Sequence, residues 1–304
     1  MYSNRRGVIV EPTSNIQVSK NDLQEAFDDG RAKGSSFTIS LSRKLNSGTA
    51  GERLGSAMGS SIEFQDYRDY QPGDDIRRLD WSAYARSDKL TIRLYRDEIQ
   101  PKGDIISDTS LSMLSAPSKT LASLNLAGML MEACFRSSIS TAWWGFGSGF
   151  ENIFRLSNRF PGCNMPSFRG GAGFASENPG LPHSISKKGI RFVISDFLWE
   201  APAENVIRRF SRDASLLVLI NILCEEELNP SLYGVSSLTD SESGGKLDLN
   251  IGENERRLYL AKLGKHIEMW KDGSVTHNCI FCQLNAENFL AGDFSPLIRS
   301  GILE

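Results

Sequence analysis

The sequence contains few of the residues that carry disulfide, zinc or imidazole chemistry. Among its 304 residues there are five cysteines and three histidines. Such a sparse, odd set of cysteines argues against a disulfide framework and for a reducing compartment. The Gly-x-Ser-x-Gly pattern of a nucleophile elbow and the Gly-x4-Gly-Lys-Ser/Thr pattern of a phosphate-binding loop are both absent. The sequence therefore offers no motif for those two classes of enzyme.

The sequence also lacks a strong net charge and a long hydrophobic run. Its 34 basic and 37 acidic residues give a formal charge of -3, which provides no overall attraction to nucleic acid. The longest apolar run, 214–224, is far shorter than the ~20 residues that span a bilayer. The N-terminus carries no apolar core of a secretory signal. We expect a cytoplasmic protein with no nucleic-acid partner and no membrane insertion.

One cysteine pair, Cys279 and Cys282, has the C-x-x-C spacing of zinc and redox motifs. The surrounding residues 275–284 alternate as a strand, in which residues three apart point to opposite faces. His277 and Cys279 would share one face of that strand, yet no fourth ligand is evident. We interpret the pair as buried structural cysteines, with zinc or redox work as the less favoured alternative.

From residue 103 onward, apolar runs that suit buried strands alternate with helical patterns. The predicted strands are 103–108, 139–146, 189–196, 215–223 and 275–284, and the predicted helices are 119–135, 203–212, 254–271 and 294–303. Continuous apolar strands separated by helices favour an α/β fold, with a doubly wound, mostly parallel sheet covered on both faces.

The chain before residue 103 has a different character. Residues 1–34 are a polar lead followed by a short amphipathic helix that starts near residue 21 and stops at Gly30. Residues 35–102 form a predicted β-rich region, with strands at 35–41 and 89–96 and a turn at Pro72-Gly73-Asp74. We therefore predict three segments, 1–34, 35–102 and 103–304.

Two of the predicted strands end in an aspartate, Asp108 and Asp196, and Asp108 is followed by Ser110 and Ser112. Ligands of open parallel sheets bind beyond the carboxyl ends of the strands, so we expect these residues at one edge. Carboxylate and hydroxyl oxygens suit Mg²⁺ or Mn²⁺. The alternative is that the four residues form turns and cap the helices that follow.

Residues 61–98 are rich in aromatic and charged side chains. They suit either a surface hairpin with charges paired across its strands or a docking face with aromatic anchors and directional arginines. Nucleic acid is a weaker candidate, because each basic residue has acidic neighbours that repel phosphate. The candidate partner-binding residues are Tyr67, Arg68, Asp74, Asp75, Arg77, Asp80, Trp81 and Arg86.

Two stretches together resemble the bacterial domain-of-unknown-function 58 family. The first runs from Phe64 to Arg86 and contains Tyr67-Arg68-Asp69-Tyr70, Pro72-Gly73-Asp74-Asp75 and Asp80-Trp81. The second, Asp108-Thr109-Ser110-Leu111-Ser112, is similar to that family's entry into a von Willebrand factor A-like domain. The resemblance extends over most of the chain from about Gly55 and includes residues 194–197, 224–230 and 238–244.

The resemblance implies a cytoplasmic von Willebrand A-like domain with a β-rich N-terminal addition. It implies a metal-ion-dependent adhesion site, in which Mg²⁺ binds an acidic side chain of a partner. Members are often encoded beside a MoxR-type AAA+ ATPase, so that ATPase and its client protein are the expected partners. One departure concerns the metal, because Ala172 stands where the second loop of the site would supply a threonine.

The expected function is a non-enzymatic protein-interaction module in a chaperone-like assembly or maturation system. One alternative is a metal-dependent phosphohydrolase, since an aspartate at a strand end can accept a phosphoryl group. That chemistry would favour a second acid where this chain has Ser110. Another alternative is a purely structural assembly subunit that associates with itself through the face between Phe64 and Arg86.

Overall fold

The structure is a computed structural model that describes residues 8–10, 18–40, 62–97, 101–147, 149–155, 165–168, 181–199, 201–231, 233–240 and 245–304. The described parts of 1–45 and 101–304 form one compact unit, and those of 46–100 form another. Among the described residues, no helix is both long and apolar enough to cross a bilayer.

The elements follow one another in a mixed α/β order. The strands are β1 (Val8–Val10), β2 (Ile62–Asp69), β3 (Thr91–Asp97), β4 (Lys102–Asp108), β5 (Ser140–Phe146), β6 (Phe150–Arg155), β7 (Ile190–Ser195), β8 (Leu216–Leu223), β9 (Gly234–Asp240), β10 (Lys246–Ile251) and β11 (Ile280–Asn285). The helices are α1 (Lys20–Gly34), α2 (Trp81–Ser87), α3 (Pro117–Arg136), α4 (Ala203–Ser211), α5 (Glu225–Leu228), α6 (Glu253–Thr276), α7 (Ala286–Leu290) and α8 (Ser295–Arg299).

The centre of the larger unit is a six-stranded sheet in the order β11-β8-β7-β4-β5-β6. Its first five strands are parallel, and β6 is antiparallel to β5. Every residue of β7 is buried, as expected for a strand covered on both faces. The predicted mostly parallel α/β sheet is confirmed. From β4 the chain first adds strands on one side and then on the other, so a topological switch point lies between β4 and β7.

Helix α1 packs closely against α3. It does not stop at Gly30 as predicted, because that glycine is a contact point inside the helix. A Cβ added at Gly30 would lie 1.9 Å from the Asn125 carbonyl oxygen, and one at Gly128 would lie 2.3 Å from that of Phe27. The Phe27 ring stacks on Trp143 of β5 at 4.9 Å. The helix predicted as part of a separate lead is thus built into the larger unit.

The strand predicted at 275–284 begins later than expected. Helix α6 continues through Thr276, whose hydroxyl donates to the Asp272 carbonyl at 2.9 Å within the last turn. β11 starts only at Ile280. The β-branched residues near the helix end resembled a strand in the sequence but fit the final helical turn. His277 therefore ends a helix and does not share a strand face with Cys279.

The strand predicted at 35–41 is wrong for the described residues, which form only an isolated β-bridge between Ile39 and Leu303, and the helix predicted at 294–303 is shorter than expected. Residue 41 lies outside the described part of the chain. Helix α8 ends at Arg299, and Gly301 with φ 71° turns the chain. The last residues then pair with 38–40: the Thr38 amide donates to the Glu304 carbonyl at 2.9 Å, and the Ser40 amide donates to the Ile302 carbonyl at 3.1 Å. The backbone of 38–40 thus finds its partner at the far end of the chain.

Residues 234–251 hold two strands that the sequence did not predict. β9 lies between β1 and β10 in a three-stranded antiparallel sheet. All of β10 except its last residue is exposed, although its polar and apolar residues alternate as they would in a half-buried strand.

The smaller unit is built from the antiparallel pair β2–β3 and helix α2. Its predicted turn is confirmed, because the Asp74 amide donates to the Gln71 carbonyl at 3.0 Å and Gly73 has φ 107°. The Asp80 side chain caps α2 by accepting from the amides of Ser82 at 2.9 Å and Ala83 at 3.1 Å. Residues 81–87 are therefore helical, which the hairpin interpretation did not foresee.

Candidate functional site

The carboxyl ends of β4 and β7 bring Asp108 and Asp196 to one edge of the sheet. The two strands are parallel neighbours, with Ser107 opposite Ile194. Ser195 donates its hydroxyl to Asp108 Oδ2 at 2.5 Å. The meeting of the two acidic strand ends therefore follows from the parallel pairing of their strands.

The serines of the loop after β4 join the same cluster. The Ser110 amide donates to Asp108 Oδ1 at 2.9 Å, and the hydroxyls of Ser110 and Ser112 are 3.0 Å apart. A 3₁₀ turn, Leu111–Leu114, carries Ser112 to Asp196, to which its side chain is also hydrogen-bonded. The four residues predicted as metal ligands thus form one hydrogen-bonded network, which we call the strand-end cluster.

A sharp bend of the chain follows Asp196. Phe197 has φ 52°, an uncommon backbone conformation for an aromatic residue. The bend is held by the Phe197 amide, which donates to Ser195 Oγ at 2.9 Å, and by Asn221 Nδ2, which donates to the Asp196 carbonyl at 2.7 Å. The Phe197 ring packs against Trp270 of α6 at 4.6 Å. Packing from β8 and α6 therefore fixes the direction of the Asp196 side chain.

The strand-end cluster is closed to solvent. Asp108 is 2% exposed and Asp196 is 1% exposed. Trp199 covers Asp108 and donates its indole N–H to Asp108 Oδ2 at 3.1 Å. The described residues therefore form a buried cluster at the edge where the sequence predicted a site for Mg²⁺ or Mn²⁺. Ala172, which bears on the second loop of the expected site, lies outside the described residues.

A buried lysine, which the sequence analysis did not single out, completes the cluster. Lys119 in the first turn of α3 has no exposed surface. Its Nζ donates to Asp196 Oδ2 at 2.8 Å, to Glu227 Oε1 at 2.7 Å and to Ser115 Oγ at 3.3 Å. The sequence did indicate this residue, because Lys119 is a charged residue in a helix that is otherwise apolar around most of its circumference.

The acidic partners of this lysine come from different parts of the chain. Glu227 lies in α5, directly after β8, and the Tyr259 hydroxyl of α6 donates to its carbonyl at 2.9 Å. Burial alone would lower the pKa of Lys119, but the charges of Asp196 and Glu227 outweigh it and hold that pKa above its usual value. Lys119 is therefore a permanent cation at the strand-end edge.

The two aspartates of the cluster have opposite pKa shifts. Burial, together with the nearby charge of Asp196, raises the pKa of Asp108 to about 6 against hydrogen bonds from Ser110 and Ser195. Burial also acts to raise the pKa of Asp196, but the charge and hydrogen bond of Lys119 lower it overall. The two carboxyls therefore differ in acidity, with the pKa of Asp196 below its usual value and that of Asp108 raised to about 6.

The donor set does not fit a divalent cation in this arrangement. Both oxygens of Asp108 accept hydrogen bonds, from the Ser110 amide and from Ser195 and Trp199. One oxygen of Asp196 accepts from the Leu198 amide at 3.1 Å, and the other from Lys119. Mg²⁺ prefers near-octahedral oxygen ligands, and the Lys119 ammonium, 2.8 Å from Asp196 Oδ2, would repel it at that carboxylate. Within the described ranges, no group of three or more histidine, cysteine, aspartate or glutamate side chains is placed to hold a metal.

The predicted partner-binding residues of the smaller unit divide into two groups. The aspartates serve local structure: Asp74 pairs with Arg68 at 2.8 Å, Asp75 accepts from the Arg77 amide at 3.0 Å, and Asp80 caps α2. Arg86 is also used locally, since its Nε donates to the Ser82 carbonyl at 3.1 Å.

Three aromatic residues of this unit, Tyr67, Trp81 and Tyr84, are exposed to solvent. Trp81 is 63% exposed and Tyr67 is 48% exposed. The rings of Trp81 and Tyr84 meet edge to face at 6.3 Å. We call these residues, with Ile76 and Leu90, the aromatic surface; all five are large apolar side chains exposed within the smaller unit.

Comparison with known proteins finds a similarity to a family of unknown function over part of the chain. Residues 66–127 match the family described as protein of unknown function DUF58. Over 113 residues, or 37% of this chain, the sequence is 27% identical to the uncharacterized protein Mb1516 of Mycobacterium bovis and to the uncharacterized proteins MT1527 and Rv1480 of Mycobacterium tuberculosis. The match spans only 34% of the length of each relative. These findings support the DUF58 family.

Two solved structures show weak likenesses. One is the conserved hypothetical protein BatB from Bacteroides thetaiotaomicron, with 11% identity, a TM-score of 0.30, and coverage of 66% of this chain and 98% of that one. The other is an aerotolerance-related membrane protein from Bacteroides fragilis, with 12% identity, a TM-score of 0.29, and coverage of 66% and 99%.

Proposed function

We propose, from the likeness to the DUF58 family, that this chain is a non-enzymatic protein-interaction module with a von Willebrand A-like α/β domain. It would act with a MoxR-type AAA+ ATPase and its client protein in a chaperone-like assembly or maturation system. The observation that carries the proposal is the aromatic surface, because all five of its residues lie within 66–127, the range that matches the DUF58 family.

The composition of the aromatic surface supports a docking role. Tryptophan, tyrosine and arginine are the residues most enriched at binding hot spots. Here Trp81 and Tyr67 are exposed, and the arginine Arg77 is exposed beside Ile76. Exposed apolar groups commonly mark a site of protein contact when they lie together, as the rings of Trp81 and Tyr84 do at 6.3 Å. The capped helix α2 and the Arg68–Asp74 pair would hold these anchors in place, which reduces the entropy lost on binding.

In this proposal the strand-end cluster stabilises the fold and does not bind the partner. This differs from the usual adhesion-type site, where a cation is shared with an incoming carboxylate. The burial of Asp108 also supports a non-enzymatic role. A carboxylate that accepts a phosphoryl group must reach its substrate, whereas Asp108 lies beneath Trp199 and accepts three hydrogen bonds.

The proposal is tested by capture of a MoxR-type ATPase from the same organism on immobilised protein. Trp81→Ala should weaken the affinity by about 30-fold or more, the loss expected for a hot-spot residue worth about 2 kcal/mol. Tyr233→Ala is the matched control, since Tyr233 is an exposed aromatic residue of the other unit. Equal capture by wild-type protein and Trp81→Ala, with both folded by circular dichroism, would refute the docking role.

The same variant distinguishes a structural assembly subunit from a partner module. If the aromatic surface mediates self-association, Trp81→Ala should lower the mass measured by light scattering and leave the ATPase uncaptured by either protein. If it binds the ATPase, the mass should stay unchanged while capture falls.

A further inference from the structure

The feature behind this inference is the position of Lys119 within the strand-end cluster. An ammonium group has three N–H donors, and the three acceptors of Lys119 are two carboxylates and one hydroxyl. Its hydrogen-bonding capacity is therefore filled within the protein. The side chain is completely buried, so water does not compete for these contacts.

The local backbone would not favour a cation at this point. Lys119 lies in the first turn of α3, where the helix dipole presents its positive end and destabilises a further positive charge. Burial adds a cost, because a charged group leaves water. Two carboxylates from distant parts of the chain must offset both effects, and they are Asp196 after β7 and Glu227 after β8.

The acidic side chains in turn require a nearby positive charge. Asp196 and Asp108 lie near each other and are both buried, and like charges in a buried place repel strongly. In adhesion-type sites a divalent ion supplies this positive charge. In this chain the ammonium contacts the Asp196 oxygen at 2.8 Å, so a divalent ion at that carboxylate would face a like charge as its direct neighbour.

We propose that the Lys119 ammonium is a built-in cation that takes the place of the divalent ion at the strand-end cluster, so that the fold and any partner binding are independent of Mg²⁺ and Mn²⁺. The inference does not rest on the proposed docking function, since it concerns only the charge balance of the larger unit. It predicts that removing the ammonium leaves acidic and hydroxyl oxygens with room for a metal.

The experiment compares Mn²⁺ binding by the wild-type chain and by Lys119→Ser, followed by electron paramagnetic resonance of free Mn²⁺. Wild-type protein should bind no stoichiometric Mn²⁺ at millimolar concentration, and its melting temperature should not change. Lys119→Ser should melt several degrees lower without metal, bind one Mn²⁺ per chain and recover much of the lost melting temperature. Lys187→Ser, which removes an exposed lysine of the same unit, should behave as wild type.

A double variant identifies the ligands of the new site. Lys119→Ser with Asp196→Asn should lose both the Mn²⁺ binding and the thermal recovery. The proposal is overturned if wild-type protein binds one Mn²⁺ and Asp108→Asn abolishes that binding. This test needs no folded Lys119 variant. It is also overturned if Lys119→Ser folds yet responds to Mn²⁺ no more than Lys187→Ser. A wrong docking proposal would leave all of these results unchanged.

Discussion

The ammonium of Lys119 lies 2.8 Å from a carboxylate oxygen of Asp196, and neither side chain has any exposed surface. The pair joins α3 to the end of β7, and Glu227 extends it to the end of β8. Three elements that are separate in the sequence are thus tied at one edge of the sheet by a single charge.

Replacing Lys119 with methionine should strongly destabilise the protein. Methionine has a similar volume, so the main effect is to leave the buried Asp196 and the partly buried Glu227 without a counter-ion. Removing one partner of a buried ion pair costs about 3–5 kcal/mol of unfolding free energy. Urea denaturation measures this loss. Lys187→Met should change the free energy of unfolding by less than about 0.5 kcal/mol, and equal stability of the two variants would contradict the structural role of the pair.

The carboxyl of Asp108 should make stability fall as the pH rises. Its pKa is about 6 in the folded protein, against a usual value of 3.8. Between these values the folded state holds the proton more tightly than the unfolded state, so unfolding becomes easier as pH increases toward 6. A shift of about two pKa units corresponds to roughly 3 kcal/mol at pH 7.

Comparison of wild type with Asp108→Asn isolates this effect. The wild type should lose stability relative to the variant between pH 4 and pH 7. The lowered pKa of Asp196 acts in the opposite sense, because its stabilising contribution is present above its unfolded pKa and is lost only at more acidic pH. Urea unfolding at several pH values measures the difference, and a difference that does not vary with pH would show that Asp108 does not titrate in this range.

The contact between α1 and α3 should not tolerate a side chain at Gly30. A Cβ there would meet the Asn125 carbonyl oxygen at 1.9 Å, and the backbone on both sides limits relaxation. Gly30→Ala should therefore destabilise the protein by about 3 kcal/mol, at the upper end of overpacking effects. The control is Gly264→Ala in α6, where a Cβ has nothing within 4 Å.

The control change at Gly264 should raise stability by about 0.5–1 kcal/mol, because alanine loses less conformational entropy in a helix. Thermal unfolding of both variants gives the comparison. If Gly30→Ala were as stable as Gly264→Ala, the close approach of the two helices would be disproved.

The buried cysteines should react slowly with iodoacetamide. Burial raises the pKa of the Cys134 thiol to about 12, and burial with the charge of Glu227 raises that of Cys224 to about 12. Only the thiolate reacts readily. Cys279 is partly exposed and should be modified faster than Cys134 in the folded protein, which peptide mass mapping after brief alkylation can measure. Equal rates before and after unfolding in urea would contradict this prediction.

The burial of the cysteines also bears on the interpretation of the C-x-x-C pair. Cys282 is buried, and burial raises its pKa to about 11. Cys279 Sγ lies 3.4 Å from the His277 carbonyl and 3.5 Å from Ser211 Oγ, which are not metal ligands in this arrangement. The structural-cysteine interpretation of this pair stays the favoured prediction, and zinc analysis of purified protein would test it.

The sequence by itself determined the parallel sheet and the meeting of its acidic strand ends. Continuous apolar runs mark β4 and β7 as strands buried on both faces, and parallel strands necessarily bring their carboxyl ends to the same edge. Asp108 and Asp196 could therefore be placed together before any coordinates were known. The hydroxyls of Ser110 and Ser112 could be placed at the same edge, because both residues lie within four positions of Asp108.

Only the tertiary structure decided what neutralises those acids. Lys119 is 77 residues from Asp196 and 108 residues from Glu227 along the chain. Periodicity shows which face of a helix is apolar, but it does not show which distant carboxylate will meet a lysine on that helix. The closing of the cluster by Trp199 and the helical form of residues 81–87 likewise depended on contacts outside each local pattern. A buried charge is stable only where its partners converge, and that convergence is a property of the folded chain.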